Sequence, residues 1–268
     1  HISIVVNENG TYEETKEETT ILKTLSAVDA LGEEQLLYSS DSEEMEVLEA
    51  YTVLPSGEHI HVKEDQIRTV ENDIDGGAAK FSDERYKVII YPALVPGSGT
   101  YYKVKKQVHT ALYPGHFTFA SFYNSAVEYG DVTITITYPK NLDLRFSSRE
   151  FYEEINELEH TKQNKYTLKK QSIVPKELGQ VWYGDYAPAV FVSTFKNYGE
   201  FGQAYEKRDG PQVIINDEIR DLTLSLTSGF KSRRDKAKAI YNWVAQNIRY
   251  VALYMGAGGV VPHPASEI

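Results

Sequence analysis

Residues 131–139, DVTITITYP, indicate the fold more clearly than any other stretch of the chain. Apolar and threonine side chains alternate strictly, and one face collects Val132, Ile134, Ile136 and Tyr138. A period of two with one apolar face is typical of a strand in an antiparallel sheet whose other face is solvated. Pro139 ends the strand because proline has no N–H for the ladder. The stretch therefore predicts an antiparallel sheet that packs on a core.

Strand signals recur on both sides of this stretch. They cover residues 1–6 and 11–22 around the NENG turn with Gly10, residues 45–62 around a Pro-Ser-Gly turn, residues 86–91 and 100–109 around PALVPGSG, and, more weakly, residues 165–171. Frequent strands with few helices between them predict an antiparallel β-sandwich over residues 1–190. Acidic segments around residues 33–44 and 150–159 interrupt the pattern, and we expect the second to be a short helix or an exposed loop.

Helical patterns replace strand patterns after about residue 190. Asn197 and Glu200 are placed as a capping box for a first helix. A second helix has the stripe Ile215, Ile219, Leu222 and Leu226 and stops near Gly229. A third begins at the N-cap Ser232, and its apolar stripe comprises Ala237, Ile240, Tyr241, Val244, Ile248 and Val251. The expected fold is mainly β with C-terminal helices, in two domains at residues 1–190 and 191–268.

Composition excludes several functional classes. The 268 residues have a net charge of −11, which argues against a nucleic-acid surface and against binding to anionic membranes. No apolar run approaches the roughly 20 residues that a membrane-spanning helix needs. The chain has no cysteine, so disulfides, thiolate metal sites and cysteine nucleophiles are excluded within it.

Metal-site signals are incomplete. His59 and His61 lie two apart on a predicted strand and share a face, but no third ligand is evident nearby. Residues 71–82 resemble the start of a calcium loop, yet Ser82 stands where the bidentate glutamate belongs. We therefore expect no metal and no cofactor. The 20 tyrosines offer aromatic faces for sugar stacking, although half-buried strand residues are the commoner explanation.

The C-terminal residues 236–268 carry the strongest family signal. Trp243, Val244, Asn247, Ile248, Arg249 and Tyr250 match a W-V-x-x-N-I-R-Y pattern, and Gly258, Gly259, Pro262 and Ala265 match a glycine-rich loop with a Pro-x-x-Ala step. These residues resemble the start of a bacterial transglutaminase-like domain. The upstream part is similar to a domain of unknown function that precedes such cores.

The resemblance implies a papain-like α+β core of which this chain contains only the helical start. The family places a Gly-Asp-Cys motif shortly after the matched loop, with its His and Asp partners later still. No triad residue can be assigned here, and His263 lies in the pre-catalytic loop. The lead-in motif residues Trp243, Asn247, Arg249, Tyr250, Gly259 and Pro262 are therefore singled out as family markers and not as catalytic groups.

Three functions remain open at this point. The first is a non-catalytic N-terminal scaffold or binding region of a bacterial transglutaminase-like protein of the cysteine peptidase or acyl transferase type. The second is an independent exported module that binds a glycan or a protein. The third is a metal-dependent enzyme that uses His59, His61 and acidic residues. The resemblance also implies export to the periplasm or cell envelope. Apolar helices without full cover predict a dimer or partial disorder.

Overall fold

The computed structural model describes residues 1–71, 83–124, 126–169, 182–248 and 264–265. Its strands are β1 (Ile2–Val6), β2 (Tyr12–Ile21), β3 (Glu33–Ser39), β4 (Glu43–Val53), β5 (His59–His61), β6 (Ile67–Glu71), β7 (Glu84–Ile90), β8 (Gly99–Val108), β9 (Thr118–Phe122), β10 (Thr133–Pro139), β11 (Arg145–Arg149), β12 (Phe151–Glu157), β13 (Thr161–Leu168) and β14 (Ala189–Ser193). Its helices are α1 (Leu25–Ala30), α2 (Tyr198–Asp209), α3 (Asp217–Thr227) and α4 (Arg233–Asn247). Short 3₁₀ turns lie at Glu64–Gln66, Tyr183–Asp185 and Gly210–Val213.

One large sheet organises the β region. Its eight strands run in the order β12-β13-β10-β1-β2-β8-β4-β5, and two smaller sheets have the orders β11-β14-β9 and β3-β7-β6. The described neighbours pair antiparallel except β1 and β10, which are parallel. The prediction of a mainly β fold with antiparallel sheets and C-terminal helices is confirmed, with this one parallel pair as the difference.

The large sheet packs on two separate cores. The first core lies between its β1, β10 and β13 region and the sheet β11-β14-β9, and it contains Ile4, Ile136 and Val192. The second lies between its β4 and β8 region and the sheet β3-β7-β6, and it contains Ala50 and Ile89. Each small sheet therefore covers a different part of one continuous surface.

The alternation of residues 131–139 has the predicted consequence. Ile134 and Ile136 are 0% exposed in β10, whereas the threonines between them are half-buried on the opposite face. Full burial of one such side chain stabilises the fold by roughly 1.5–3 kcal/mol. The alternation therefore fixes which face of the large sheet meets the first core.

The predicted role of Gly10 in the turn between β1 and β2 is confirmed. Gly10 has a φ of +86°, and a Cβ built there would lie 2.3 Å from the carbonyl oxygen of His116. Both the left-handed backbone and the close approach therefore require glycine at this position. The second hairpin likewise has a positive φ at Gly57.

The acidic segments were predicted wrongly. Residues 33–39 and 151–157 are the strands β3 and β12, so the second segment is neither a helix nor a loop. Strand β12 forms one edge of the large sheet, where both faces of a short strand reach water. Its Glu154 and Glu157 also pair with Lys165 and Lys162 across the ladder. Cross-strand ion pairs and solvation thus allow a strand without apolar alternation.

Helices α2 and α4 begin at their predicted N-caps, although the Glu200 carboxylate accepts from the Lys196 N–H and not from that of Asn197, so the predicted capping box is only half formed. The side chains of Asn197 and Ser232 accept hydrogen bonds from Glu200 and Asp235 backbone N–H groups. Few residues of these helices are buried in the described part of the chain, and α4 has none. The stripe expected on α4 is only partly covered, since Tyr241 is 71% exposed. None of the described helices is both long and apolar enough to cross a membrane.

Helix α2 is anchored to the β region by aromatic and polar contacts. Phe201 packs edge-to-face on Tyr113 and on Phe195, with ring centroids 5.4 Å apart in both pairs. Arg208 at the end of the helix donates hydrogen bonds to the carbonyls of Ala111 and Leu112. The first helix after the sheets is therefore attached to them.

Candidate functional site

A row of charged residues separates the two cores on the inner face of the large sheet. Strand β2 lies between β1 and β8, and its inward positions are Glu14, Lys16 and Glu18. The register places Ile2 of the first core opposite Lys16, and Tyr102 of the second core opposite Glu18. Strand β2 thus carries charges on the inward face, where β1 is apolar and β8 is apolar at Tyr102 and Val104 but has Lys106 opposite Glu14.

Lys16, Glu18 and Tyr102 form a connected group. The Lys16 Nζ lies 3.0 Å from Glu18 Oε2, and the Tyr102 hydroxyl donates a 3.0 Å hydrogen bond to the same oxygen. Burial acts to raise the pKa of the Glu18 carboxyl, but the Lys16 charge and these hydrogen bonds outweigh it, and the net pKa is lowered. Glu18 is therefore held as a carboxylate.

Glu34 faces this group from the small sheet. It lies on β3 opposite Ile89 of the second core, and it is half-buried. Burial raises the pKa of its carboxyl, and the negative charge of Glu18 raises it further, while Lys16 opposes both. Among the described residues Glu34 has no hydrogen-bond or ion-pair partner. It is an unsatisfied carboxylate at the edge of a core.

Tyr91, which directly follows β7, is a second unsatisfied group. Its side chain belongs to the second core and is 6% exposed. Its buried hydroxyl has no hydrogen-bond partner in the described ranges. Burial raises the pKa of this phenol, and the negative charges of Glu34 and then Glu18 raise it further. The Tyr91 backbone N–H donates to the Gly32 carbonyl at 3.1 Å, and Ile89, two residues earlier, lies opposite Glu34, so Tyr91 and Glu34 share one face of the small sheet.

We call Lys16, Glu18, Glu34, Tyr91 and Tyr102 the seam site. It contains two carboxylates, one ammonium and two phenols, so it can accept hydrogen bonds from a cation but offers no thiol or activated hydroxyl for covalent chemistry. Sequence reasoning missed it. The available signal was the run YEETKEETT in β2, a strand between two apolar neighbours that lacks apolar alternation.

An exposed tryptophan marks a second surface on the outside of the sheet β11-β14-β9. The Trp182 side chain is 60% exposed, and its ring packs against Phe122 at 5.4 Å and over Gly184, where an added Cβ would lie 2.3 Å from the ring. Arg149 holds the loop by donating hydrogen bonds to the carbonyls of Gly184, Asp185 and Ala187. The exposed ring therefore has a fixed position.

A shallow groove of about 440 Å³ adjoins the contact between Phe122 and Phe191. Its floor is formed by small and hydroxyl-bearing side chains, namely Thr118, Ala120, Ser147 and Ser193, and Arg145 lies at one end. We call Trp182, Phe122, Phe191 and this floor the outer groove.

The histidine pair lies on the other face of the large sheet. His59 stacks on Tyr51 at 4.5 Å, His61 meets the same ring edge-on at 5.5 Å, and Tyr101 stacks on its far side at 4.5 Å. Both histidines share an exposed face, as their spacing predicts. Within the residues that the structure describes, no group of three metal-ligating side chains occurs, so a third ligand for this pair is not found there.

The family markers are described only in part. In the last turn of α4, the Asn247 side chain donates a 2.8 Å hydrogen bond to the Trp243 carbonyl. Ala265 donates its backbone N–H to the Gln212 carbonyl at 2.9 Å. The remaining markers, Arg249, Tyr250, Gly259 and Pro262, lie outside the described residues, as does the calcium-like stretch beyond Glu71.

Comparisons with known proteins identify a family that the sequence matches and a solved structure with a similar fold. A family described as a domain of unknown function with a solved structure (DUF3857) matches residues 8–177. The crystal structure of a protein from Parabacteroides distasonis, described as "a putative protease", superposes with a TM-score of 0.85 at 15% identity. The alignment covers 99% of this chain and 53% of that protein, so the chain spans about half its length. No curated protein matches the chain.

Proposed function

Because this chain belongs to the DUF3857 family, whose function is undefined, we propose that it is the non-catalytic N-terminal region of a longer transglutaminase-like protein. The observation that carries the proposal is the coverage of the structural alignment. Nearly all of this chain superposes on about half of a protein described as "a putative protease", and the resemblance of residues 236–268 to a transglutaminase-like core supports the same assignment. The active-site residues would then be supplied by sequence that follows the lead-in motif.

The chemistry of the chain agrees with a supporting role. It has no cysteine, so it cannot provide the thiolate on which a transglutaminase-like reaction depends. The Lys16 ammonium of the seam site is ion-paired with Glu18, and the outer groove has only unactivated hydroxyls. In this proposal the β region is a scaffold or a binding module, and the resemblance supports export to the periplasm or cell envelope.

The exposed apolar side chains of α3 and α4 offer a surface on which a following domain could pack. Large apolar side chains of α3 and α4 are exposed, among them Leu224 at 61% and Tyr241 at 71%. Exposed apolar area of this kind is a typical docking surface. We propose that the remainder of a papain-like core packs on these helices.

Hydrogen exchange of α4 tests this packing. The chain and a version extended by the sequence that follows it in the source gene are compared peptide by peptide. We expect amides of residues 233–247 to exchange more slowly in the extended protein, because packing suppresses local opening. Peptides of β10 serve as the internal control, since their exchange should not differ. Equal exchange of α4 in both proteins would contradict the proposal.

A second candidate function, a binding module for a glycan, rests on the outer groove. The apolar face of a sugar ring packs on an exposed aromatic ring, and its hydroxyls require nearby polar groups. Trp182 supplies the ring, and Ser147, Ser193 and Arg145 supply the polar groups. Trp182→Ala should abolish retention on a polysaccharide that the unaltered chain binds, while Tyr198→Ala removes a still more exposed aromatic elsewhere and should not. Unchanged retention of the Trp182 variant would exclude this surface.

A further inference from the structure

The outer face of the sheet β11-β14-β9 changes in character along its length. Val192 belongs to the first core, so its neighbours Phe191 and Ser193 point to the opposite, outer side. The register aligns the outward residues of the three strands in rows that lie about 7 Å apart along each strand. The first row contains Phe122, the next contains Phe191, and the last contains Arg145 opposite Ser193. One end of this face is therefore aromatic, and the other end is polar and positively charged.

The rings at the aromatic end form a continuous apolar strip of Trp182, Phe122 and Phe191. The Phe191 ring meets the Phe122 ring edge-to-face with centroids 5.2 Å apart, and Phe122 contacts Trp182 at 5.4 Å. Phe191 also lines the groove of about 440 Å³ and reaches solvent. The apolar strip thus leads from the exposed tryptophan into the groove.

Arg145 supplies the charge at the polar end. It is the one ionisable side chain among the described residues that line the groove. Its guanidinium lies 3.6 Å from the Asp143 carboxylate, and the two side chains are 52% and 67% exposed. A solvated ion pair of this length contributes little free energy. Since a guanidinium has five N–H donors, most of them remain available to a ligand.

The groove lies across the face of the sheet, which restricts the kinds of ligand that fit it. A sheet face offers side chains but no main-chain partners, because the backbone N–H and C=O groups of a strand point toward the neighbouring strands. A peptide bound here would lose the hydration of its own backbone without gaining hydrogen bonds. A sugar ring instead has an apolar C–H face for an aromatic ring and peripheral hydroxyls for Thr118, Ser147 and Ser193.

We propose that the outer groove binds an acidic glycan, with a sugar ring on the apolar strip and a sugar carboxylate on Arg145. The inference rests on the second candidate function, the binding of a glycan, and specifies the chemical class of that glycan. A carboxylate accepts two parallel hydrogen bonds from a guanidinium. A neutral sugar at the same place would desolvate Arg145 without compensating its charge, which costs free energy. The charge of Arg145 therefore favours acidic chains over neutral ones.

Titration calorimetry tests the class of glycan at low ionic strength, where surface charges are screened least. The probes are short oligosaccharides of galacturonate and of alginate. The matched controls are the same oligosaccharides with their carboxylates converted to methyl esters, which keeps the sugar rings and removes the charge. We expect the unaltered chain to bind an acidic oligosaccharide about tenfold or more tightly than its methyl ester, as the loss of one charged hydrogen bond implies.

Variants locate the binding. Arg145→Gln should remove the preference for the acidic form and leave binding of the methyl ester almost unchanged. Asp143→Asn should strengthen binding of the acidic form severalfold, because it removes a competing and repulsive carboxylate. Trp182→Ala should weaken binding of both forms, because both use the apolar strip. Arg68→Gln removes an exposed positive charge from another sheet and should bind like the unaltered chain.

The outcomes separate this inference from the proposals on which it builds. Equal affinities for the acidic and esterified forms would overturn the acidic class and leave the glycan candidate standing. No binding of any probe, acidic or esterified, would count against both. Equal weakening by the Arg145 and Arg68 variants would show that only the total charge matters, and it would overturn the role of Arg145. The transglutaminase-like proposal is unaffected by each result, because hydrogen exchange of α4 does not involve the outer groove.

Discussion

At the scale of single residues, the two tyrosines of the seam site differ in whether their hydroxyl groups are hydrogen-bonded. The Tyr102 hydroxyl donates to Glu18, whereas the buried Tyr91 hydroxyl lacks a partner among the described residues. Removing a bonded hydroxyl loses a charged hydrogen bond, and removing an unpaired one relieves an uncompensated desolvation.

The pair therefore predicts opposite effects of the same chemical change. Tyr91→Phe should raise the free energy of unfolding by about 1 kcal/mol, and Tyr102→Phe should lower it by about 1.5 kcal/mol. Denaturant unfolding at neutral pH measures both. Equal destabilisation by the two substitutions would contradict the account of Tyr91.

Glu34 predicts a dependence of stability on pH. Its pKa is raised in the folded chain by burial first and by Glu18 second. A carboxyl with a folded pKa above its unfolded value of about 4.3 stabilises less as pH rises through the interval between the two. Glu34→Gln should thus be more stable than the unaltered chain at neutral pH and lose that advantage in acid.

Thermal or urea unfolding from acid to neutral pH checks this prediction. Glu33→Gln is the matched control, because it removes a charge from the exposed face of the same strand. A Glu34 variant whose advantage grows in acid, or one that is indistinguishable from the Glu33 variant at every pH, would show that Glu34 is not held in a desolvated, like-charged position.

At the scale of elements, β10 shows how one face of a strand carries most of the stability. Ile134→Ala should lower the free energy of unfolding by about 2–5 kcal/mol, because Ile134 is fully buried and its loss leaves a cavity. Thr135→Ala, one residue on and on the other face, should cost under about 1 kcal/mol. Denaturant unfolding compares the pair, and similar costs would mean that the face assignment is wrong.

The sequence predicts an element well when the element has its own local signal. Strand β10 has strict alternation, and α2 and α4 have N-cap residues, so these were predicted and are confirmed. Strand β12 was missed because an edge strand can be solvated on both faces and needs no apolar period. Local pattern alone does not show whether an acidic segment lies at the edge of a sheet or in a loop.

The seam site could not be predicted for a different reason. Its members come from β2, β3, β8 and the residue after β7, and the hydrogen bond between Tyr102 and Glu18 joins positions 84 residues apart. The sequence does not show that the charges of β2 face inward, because that depends on which strands pair with β2 and which sheets cover them. The histidine pair, by contrast, shares a face as its spacing predicts, but only the paired strand shows that both imidazole rings pack on Tyr51.

At the scale of the whole molecule, the exposed helices predict self-association of the isolated chain. Apolar residues of α3 and α4 that reach solvent favour burial against a second copy when nothing else covers them. Sedimentation velocity over a range of concentrations should show a monomer–dimer equilibrium. Tyr241→Lys should shift it toward the monomer, because a charge in the contact opposes association.

Asn242→Lys is the control for that substitution, since it adds the same charge at a neighbouring exposed position of α4 without removing an apolar side chain. Its effect should be smaller. A chain that stays monomeric at every concentration, or two variants with the same effect, would mean that the exposed surface of α4 does not mediate self-association.

The most direct test of the central proposal is a measurement on the protein that the source organism makes. The native product is purified, its intact mass is determined, and its cysteines are alkylated and located by peptide mapping. We predict a mass well above that of these 268 residues and an alkylated cysteine in a peptide that follows residue 268. A native product that ends near Ile268 and takes up no label would contradict the assignment as the front part of a cysteine enzyme.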